Sequence, residues 1–202
     1  LLFAIGYDDD VDAIVDEMLA YQVEGIVTAS VPMSSELGER CDAAGIPVVM
    51  FNRGQDFGSH SQVTSDNVEG GRSVARFLVA AGYRRIAHIS GWQQSSTGRD
   101  RSKGFIDGLK EQGLEPASVD DGRFHAETAS GVTRQIFGGS ERPEAVFFGN
   151  DHMAFAVMGT LRFELGLSVP NDVGVVGYDD VPISAWRAYD LTTIRQPVNQ
   201  MV

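Results

Sequence analysis

Two short apolar runs late in the chain, residues 145–148 and 173–176, each break into a turn that carries acids or amides. The first ends in Gly149-Asn150-Asp151 and the second in Gly177-Tyr178-Asp179-Asp180. Between them lies a segment of helical period, with Ala154, Val157, Met158, Leu161 and Leu165 on one face. Strand, helix and strand in that order make a right-handed crossover within a parallel sheet. Both polar clusters then stand at the carboxyl ends of neighbouring strands, where open α/β sheets bind their ligands. This stretch commits the chain to an α/β architecture and predicts a polar small-molecule site.

The rest of the sequence repeats the alternation. A strand over 1–7 leads to a helix near 10–22, in which Val11, Ile14, Val15, Met18 and Leu19 form an amphipathic stripe. Strands at 25–28, 47–51 and 62–64 follow, with a helix around 34–44 and a polar, Gly-containing loop at 52–61. Asp66 is placed to cap a helix running to about Ala81. A strand at 85–90, a polar loop at 91–98 and a helix near 99–112 open a second set. An irregular Gly/Pro/Asp stretch reaches Phe124, and a helix spans 127–137. Short strands that are apolar throughout suit sheets covered on both faces.

The length of 202 residues allows one large or two small domains, and the 43% apolar content is ample for a core. Sixteen basic against 28 acidic residues leave a net charge of −12, a poor surface for a polyphosphate partner. The single cysteine, Cys41, excludes a disulfide framework and fits a reducing compartment. No apolar run approaches the 18 or so residues of a membrane span.

Several motifs in fixed order resemble the effector-binding core of the LacI/GalR family of bacterial transcriptional regulators. They are GIPVVMFNR from Gly45, SDNVEGG from Ser65, RRIAHISG from Arg84 followed by RSKGF from Arg101, and NDHMA, GLSVPNDVGVVGYDD and LTTIRQP after Asn150. A single ND or GYDD would be weak; the ordered set covers nearly the whole chain. The resemblance implies two similar Rossmann-like lobes with parallel sheets flanked by helices, a periplasmic-binding-protein-like type I fold with the ligand in the cleft between lobes. The lobes would span 1–84 and 85–195, with 196–202 crossing back to the first. The family core starts one strand and one helix before Leu1 and continues beyond Val202. Truncation at both ends is therefore expected, with the DNA-binding helix-turn-helix outside the chain.

Site residues follow by position. Arg101, at the start of a helix, could be a solvated arginine, but the RxxGF match makes it the effector-contacting one, its paired donors suiting vicinal hydroxyls or a carboxylate. Arg99 is a second candidate nearby. Asn150 and Asp151 can cap the following helix, bind ligand, or divide those tasks. Asp179 can be a turn aspartate, a role that suits Asp180 better, while the sugar-binding relatives put Asp179 in the cleft. Gln196, at the lobe crossover, is carried over in the same way. Phe124 sits alone in a polar loop, where core packing competes with stacking on the apolar side of a sugar or purine. Trp186 can wall the cleft or cover the sheet edge. Asn52 stands where the family often has aspartate; it keeps an acceptor but loses a charge, which weakens the usual sugar clamp. Ser30 is a further hydroxyl candidate.

No metal-ligand spacing joins the four histidines, and GxSxG, P-loop and GxGxxG motifs are missing. No catalysis, cofactor or metal is expected. The expected role is the effector-binding domain of a cytoplasmic, homodimeric regulator. It would bind a sugar or related metabolite, reach operator DNA only through the helix-turn-helix outside the chain, and make no membrane contact. A transporter's sugar-binding protein shares the fold and is the rival reading; a Rossmann-like enzyme is the second rival.

Overall fold

The computed structural model of the chain describes residues 11–31, 34–56 and 60–202; the strand expected over 1–7 lies outside them. The chain folds as two compact units. One comprises Leu1–Ser65 with Asn199–Val202, the other Asp66–Val198.

In the first unit, helix α1 (Val11–Ala20) precedes strand β1 (Ile26–Ala29), helix α2 (Ser35–Ala43), and strands β2 (Val48–Phe51) and β3 (Ser61–Val63). Among the described residues its sheet is all parallel, in the order β1-β2-β3. Val15 of the predicted α1 stripe is buried with Ile26, Leu37, Cys41, Val48 and Met50, and Met18 and Leu19 pack against this cluster. Ser34 caps α2 by accepting a hydrogen bond from the Leu37 amide at 3.0 Å, which satisfies one of the unpaired amides at a helix start.

The second unit begins with α3 (Asn67–Ala80) and continues through β4 (Ile86–Ser90), α4 (Ser96–Glu111), β5 (Ser118–Asp121), α5 (Ala126–Phe137), β6 (Ala145–Phe148) and α6 (Asp151–Gly159). A π-helical turn (Thr160–Glu164) extends α6. Strand β7 (Gly174–Asp179), a 3₁₀ turn (Pro182–Ala185), strand β8 (Thr192–Arg195) and a short α7 (Val198–Met201) follow. The five strands are parallel in the order β5-β4-β6-β7-β8. One sheet face packs Ile89, Val146 and Phe148 against Met153, Val157 and Leu161 of the α6 side. The other packs Ile86, Phe147 and Tyr178 against Val74, Leu78, Phe105 and Leu109 of α3 and α4. Every residue of β4 and β6 is buried, which accounts for their unbroken apolar character. After β4 the chain turns to one side for β5 and then returns to the other for β6. The carboxyl ends of β4 and β6 therefore flank the topological switch point.

The division into compact units differs from the expected lobes. It falls between Ser65 and Asp66 rather than after Arg84, and the return falls between Val198 and Asn199 rather than at Gln196. Helix α3 belongs to the second unit because Val74, Ala75 and Leu78 enter its core. The α3 and α4 backbones also meet without intervening side chains. A Cβ on Gly104 would overlap the Val68 carbonyl, and one on Gly71 would overlap that of Arg101.

Other differences are local. The irregular stretch before Phe124 contains β5, an acidic edge strand of alternating exposure whose order comes from its ladder with β4. Helix α4 starts at Ser96, three residues early, because Ser95 accepts from the Gly98 amide. Strand β7 runs on to Asp179 because β8 pairs with it as far as Asp179 and Arg195.

Candidate functional site

Arg101 emerges from the second turn of α4 with 2% of its surface exposed. A buried guanidinium is tolerated only when its donors and its charge are met. Here Nε donates to Asn67 Oδ1 at 2.9 Å and Nη1 to the Gly149 carbonyl at 2.6 Å. Nη2 lies 3.2 Å from Asp179 Oδ1, and the guanidinium carbon sits 3.8 Å from the centre of the Tyr178 ring. Gln196 Nε2 donates to the same Asp179 oxygen at 2.7 Å. The network thus joins the starts of α3 and α4 to the carboxyl ends of β6, β7 and β8.

Asp179 adopts φ 121° and Asp180 φ 56°, two consecutive non-glycine residues in a region that side chains disfavour. Strain of this kind costs about 1–3 kcal/mol per residue and concentrates at ligand clamps. Burial pushes the Asp179 carboxyl pKa up, and the Arg101 charge and Gln196 amide oppose that shift. Asp180 turns the other way. It pairs with Arg195 and accepts from Ser184 Oγ at 3.1 Å, and these bonds lower its pKa.

Asp151 is held by the protein itself. It is fully buried, Oδ1 accepting from Thr193 Oγ at 2.6 Å and Oδ2 from the Val181 amide at 3.0 Å. Burial raises its pKa and these two bonds restrain the rise. Asp151 therefore straps the start of α6 to the segments after β7 and along β8, a structural role beside the expected contact. Asn150 caps α6 through Oδ1, which accepts from the Met153 amide at 3.0 Å.

Phe124 is half-buried at φ 56°, its ring so close to Gly91 at the end of β4 that a Cβ there would overlap it. It also packs on the α5–α6 core, the first of its two expected roles. Trp186 is 59% exposed after the 3₁₀ turn and takes no part in the Arg101 network. Arg99 is half-buried beside Asp100. In the first unit, Asn52 Nδ2 donates to Ser30 Oγ at 2.7 Å. Both residues have positive φ, and they directly follow the paired strands β2 and β1.

Sequence reasoning missed Asn67 and Tyr178. Both lie inside the family-like motifs, but the signal for Asn67 is hidden behind Asp66, whose capping bond to the Glu69 amide explains the motif by itself. Tyr178 reads as a strand residue; only the sheet position shows it lying under Arg101. Among the described residues no group of three histidine, cysteine or acidic side chains could hold a metal ion, and no helix is long and apolar enough to cross a membrane.

Residues 75–202 match the family model of the periplasmic binding protein-like domain. The chain is 36% identical over 189 residues to the HTH-type transcriptional repressor PurR of Pectobacterium atrosepticum, covering 91% of this chain and 55% of that protein. It superposes on a LacI transcriptional regulator from a Rhodococcus species with a TM-score of 0.89 at 27% identity, covering 100% of this chain and 74% of that one. It superposes on the transcriptional regulator CelR in its cellobiose complex with a TM-score of 0.85 at 32% identity, covering 94% and 59%. The chain spans about half the length of the curated relatives it matches.

Proposed function

The chain belongs to the LacI/GalR family's periplasmic-binding-protein-like effector domains, and on that premise we propose that it binds a small uncharged polyhydroxylated metabolite, a sugar or close relative, at the strand ends around Arg101. The observation that carries this reading is the Arg101–Asp179 pair beside the switch point. Its opposite charges offset each other, so the site has no surplus positive charge for an anion. Of the five N–H groups of the guanidinium three are engaged within the protein, which leaves two donors and the second carboxylate oxygen of Asp179 for hydroxyl groups. Phe124 supplies an apolar face of the kind a sugar ring stacks on. Arg101, Asp179, Gln196, Asn150 and Phe124 are the proposed contacts, with Asn52 and Ser30 as candidates on the first unit.

In the same reading the full protein is a cytoplasmic homodimer that reaches operator DNA through a helix-turn-helix outside residues 1–202. Effector binding resets DNA affinity only through its differential affinity for two states of the protein. The relatives named above are transcriptional regulators, which favours this role over transport.

A thermal-shift panel of neutral mono- and disaccharides, cellobiose included, against sugar phosphates tests the proposal. A saccharide at 100 times its Kd stabilises by about 2.7 kcal/mol. The expected result is a shift with a neutral saccharide that Arg101→Ala removes. Stabilisation by the phosphates alone, or a saccharide shift that survives Arg101→Ala, would contradict the reading.

A further inference from the structure

The two places where the chain passes between units lie close in sequence to two residues of the Arg101 network. The first passage is Ser65 to Asp66, and Asn67 is the second residue beyond it. The other is Val198 to Asn199, and Gln196 precedes it by two residues. Asn67 accepts from Arg101 Nε at 2.9 Å and Gln196 donates to Asp179 Oδ1 at 2.7 Å. These residues are 129 positions apart in sequence, yet both end on one ion pair.

We propose that Asn67 and Gln196 anchor both chain passages to the Arg101–Asp179 pair, Gln196 in addition to the ligand contact proposed above. Each bond has one charged partner, the stronger class of hydrogen bond. Asn67 is 4% exposed, so water competes little for its oxygen. Three features keep the pair in place. The Tyr178 ring lies against the guanidinium, the Gly149 carbonyl takes Nη1, and the close α3–α4 backbone contact holds Asn67 and Arg101 in register. Because Asp179 Oδ1 receives both Arg101 and Gln196, a change at that oxygen alters the second anchor directly and the first through the arginine. A ligand hydroxyl that engages the pair would therefore be felt at both passages. Only this last coupling rests on the proposed function; the anchoring itself needs no ligand.

Hydrogen exchange by mass spectrometry on the ligand-free chain tests the anchors, following peptides that cover 62–69 and 194–201. Asn67→Ala should speed exchange in the first peptide by about tenfold and leave the second near wild type; Gln196→Ala should do the reverse. Asp179→Ala should speed both. Asn67→Asp, which keeps an acceptor for Nε, should restore slow exchange in the first peptide. Lys103→Ala, an exposed change on α4, should alter neither. If Asn67→Ala and Gln196→Ala accelerate both peptides equally, or neither, the anchoring is wrong, and this holds even if Asp179→Ala fails to fold. A chain that binds no saccharide but shows the expected pattern would refute the saccharide reading and leave the anchors intact.

Discussion

Arg101 Nη2 and Asp179 Oδ1 lie 3.2 Å apart, with the arginine almost wholly buried and the aspartate about one-fifth exposed. The two residues come from α4 and the end of β7, 78 positions apart in sequence, and meet beside the switch point of the sheet. Their unequal burial makes the two sides of the pair unequal under mutation.

Arg101→Met should cost about 3 kcal/mol, the low end for breaking a buried pair, because water reaches Asp179 in part. Asp179→Asn should cost about 1 kcal/mol, since the amide keeps an acceptor and burial already disfavours the carboxylate. Both should abolish saccharide binding. Urea denaturation and titration calorimetry on the two variants check the contrast; equal stability losses would mean the pair is solvated.

Asp151→Ala should destabilise by about 2–4 kcal/mol, because the Thr193 hydroxyl and Val181 amide both lose a buried acceptor. Asp151→Asn should stay within about 1 kcal/mol of wild type, since an amide can accept from Val181 while donating to Thr193 Oγ. Denaturation midpoints of the two variants decide this. A large loss with asparagine would show that the negative charge itself is needed.

His88 gives the second unit an acid sensitivity. Its ring is fully buried, stacked on Phe147, with Nδ1 donating to the Phe147 carbonyl at 3.0 Å and Nε2 accepting from Ser102 Oγ at 2.9 Å. Burial pushes its pKa down to about 4 from the ordinary 6.5. The unfolded chain therefore binds the proton more readily, so stability falls as pH drops from 6.5 towards 4. At pH 4.5 the loss is roughly 2–3 kcal/mol. The raised carboxyls of Asp151 and Asp179 act in the opposite sense, favouring the folded state as pH falls through their folded pKa towards 3.8. Comparing wild type with His88→Gln at pH 7 and 4.5 isolates the histidine: the variant is expected to be weaker at pH 7 but to lose less on acidification.

Gly104→Ala should force α3 and α4 apart, because the added Cβ meets the Val68 backbone rather than a side chain that can turn away. A cost of about 1–3 kcal/mol is typical of overpacking. Since Arg101 rides on α4, saccharide affinity should fall as well. Melting temperature and calorimetry measure the two effects, and an unchanged melting temperature would show that the seam can open freely.

Period and turn chemistry alone determined the strand–helix alternation, the parallel sheets and the presence of polar clusters at strand ends. Apolar runs such as Ala145–Phe148 can only be buried on both faces, and the stripe from Ala154 to Leu161 can only face a core. The motif resemblance added Arg101, Asp179 and Gln196, which the fold brings onto one hydrogen-bonded network. Tertiary contacts decided the rest. Helix α3 joined the second unit because glycines let two helix backbones touch, and the two facing surfaces are distant in sequence. The acidic segment Ser118–Asp121 became a strand because β4 offered a ladder, although its composition argued against one. Asp151 and Asp179 look alike as acids after apolar strands, and only burial and partners separate the Asp151 strap from the Asp179 ion pair. Local sequence specifies periodicity and caps because those depend on neighbours a few residues away. Which polar group is buried and which remains available depends on residues such as Thr193 and Asn67, whose proximity exists only in the folded chain.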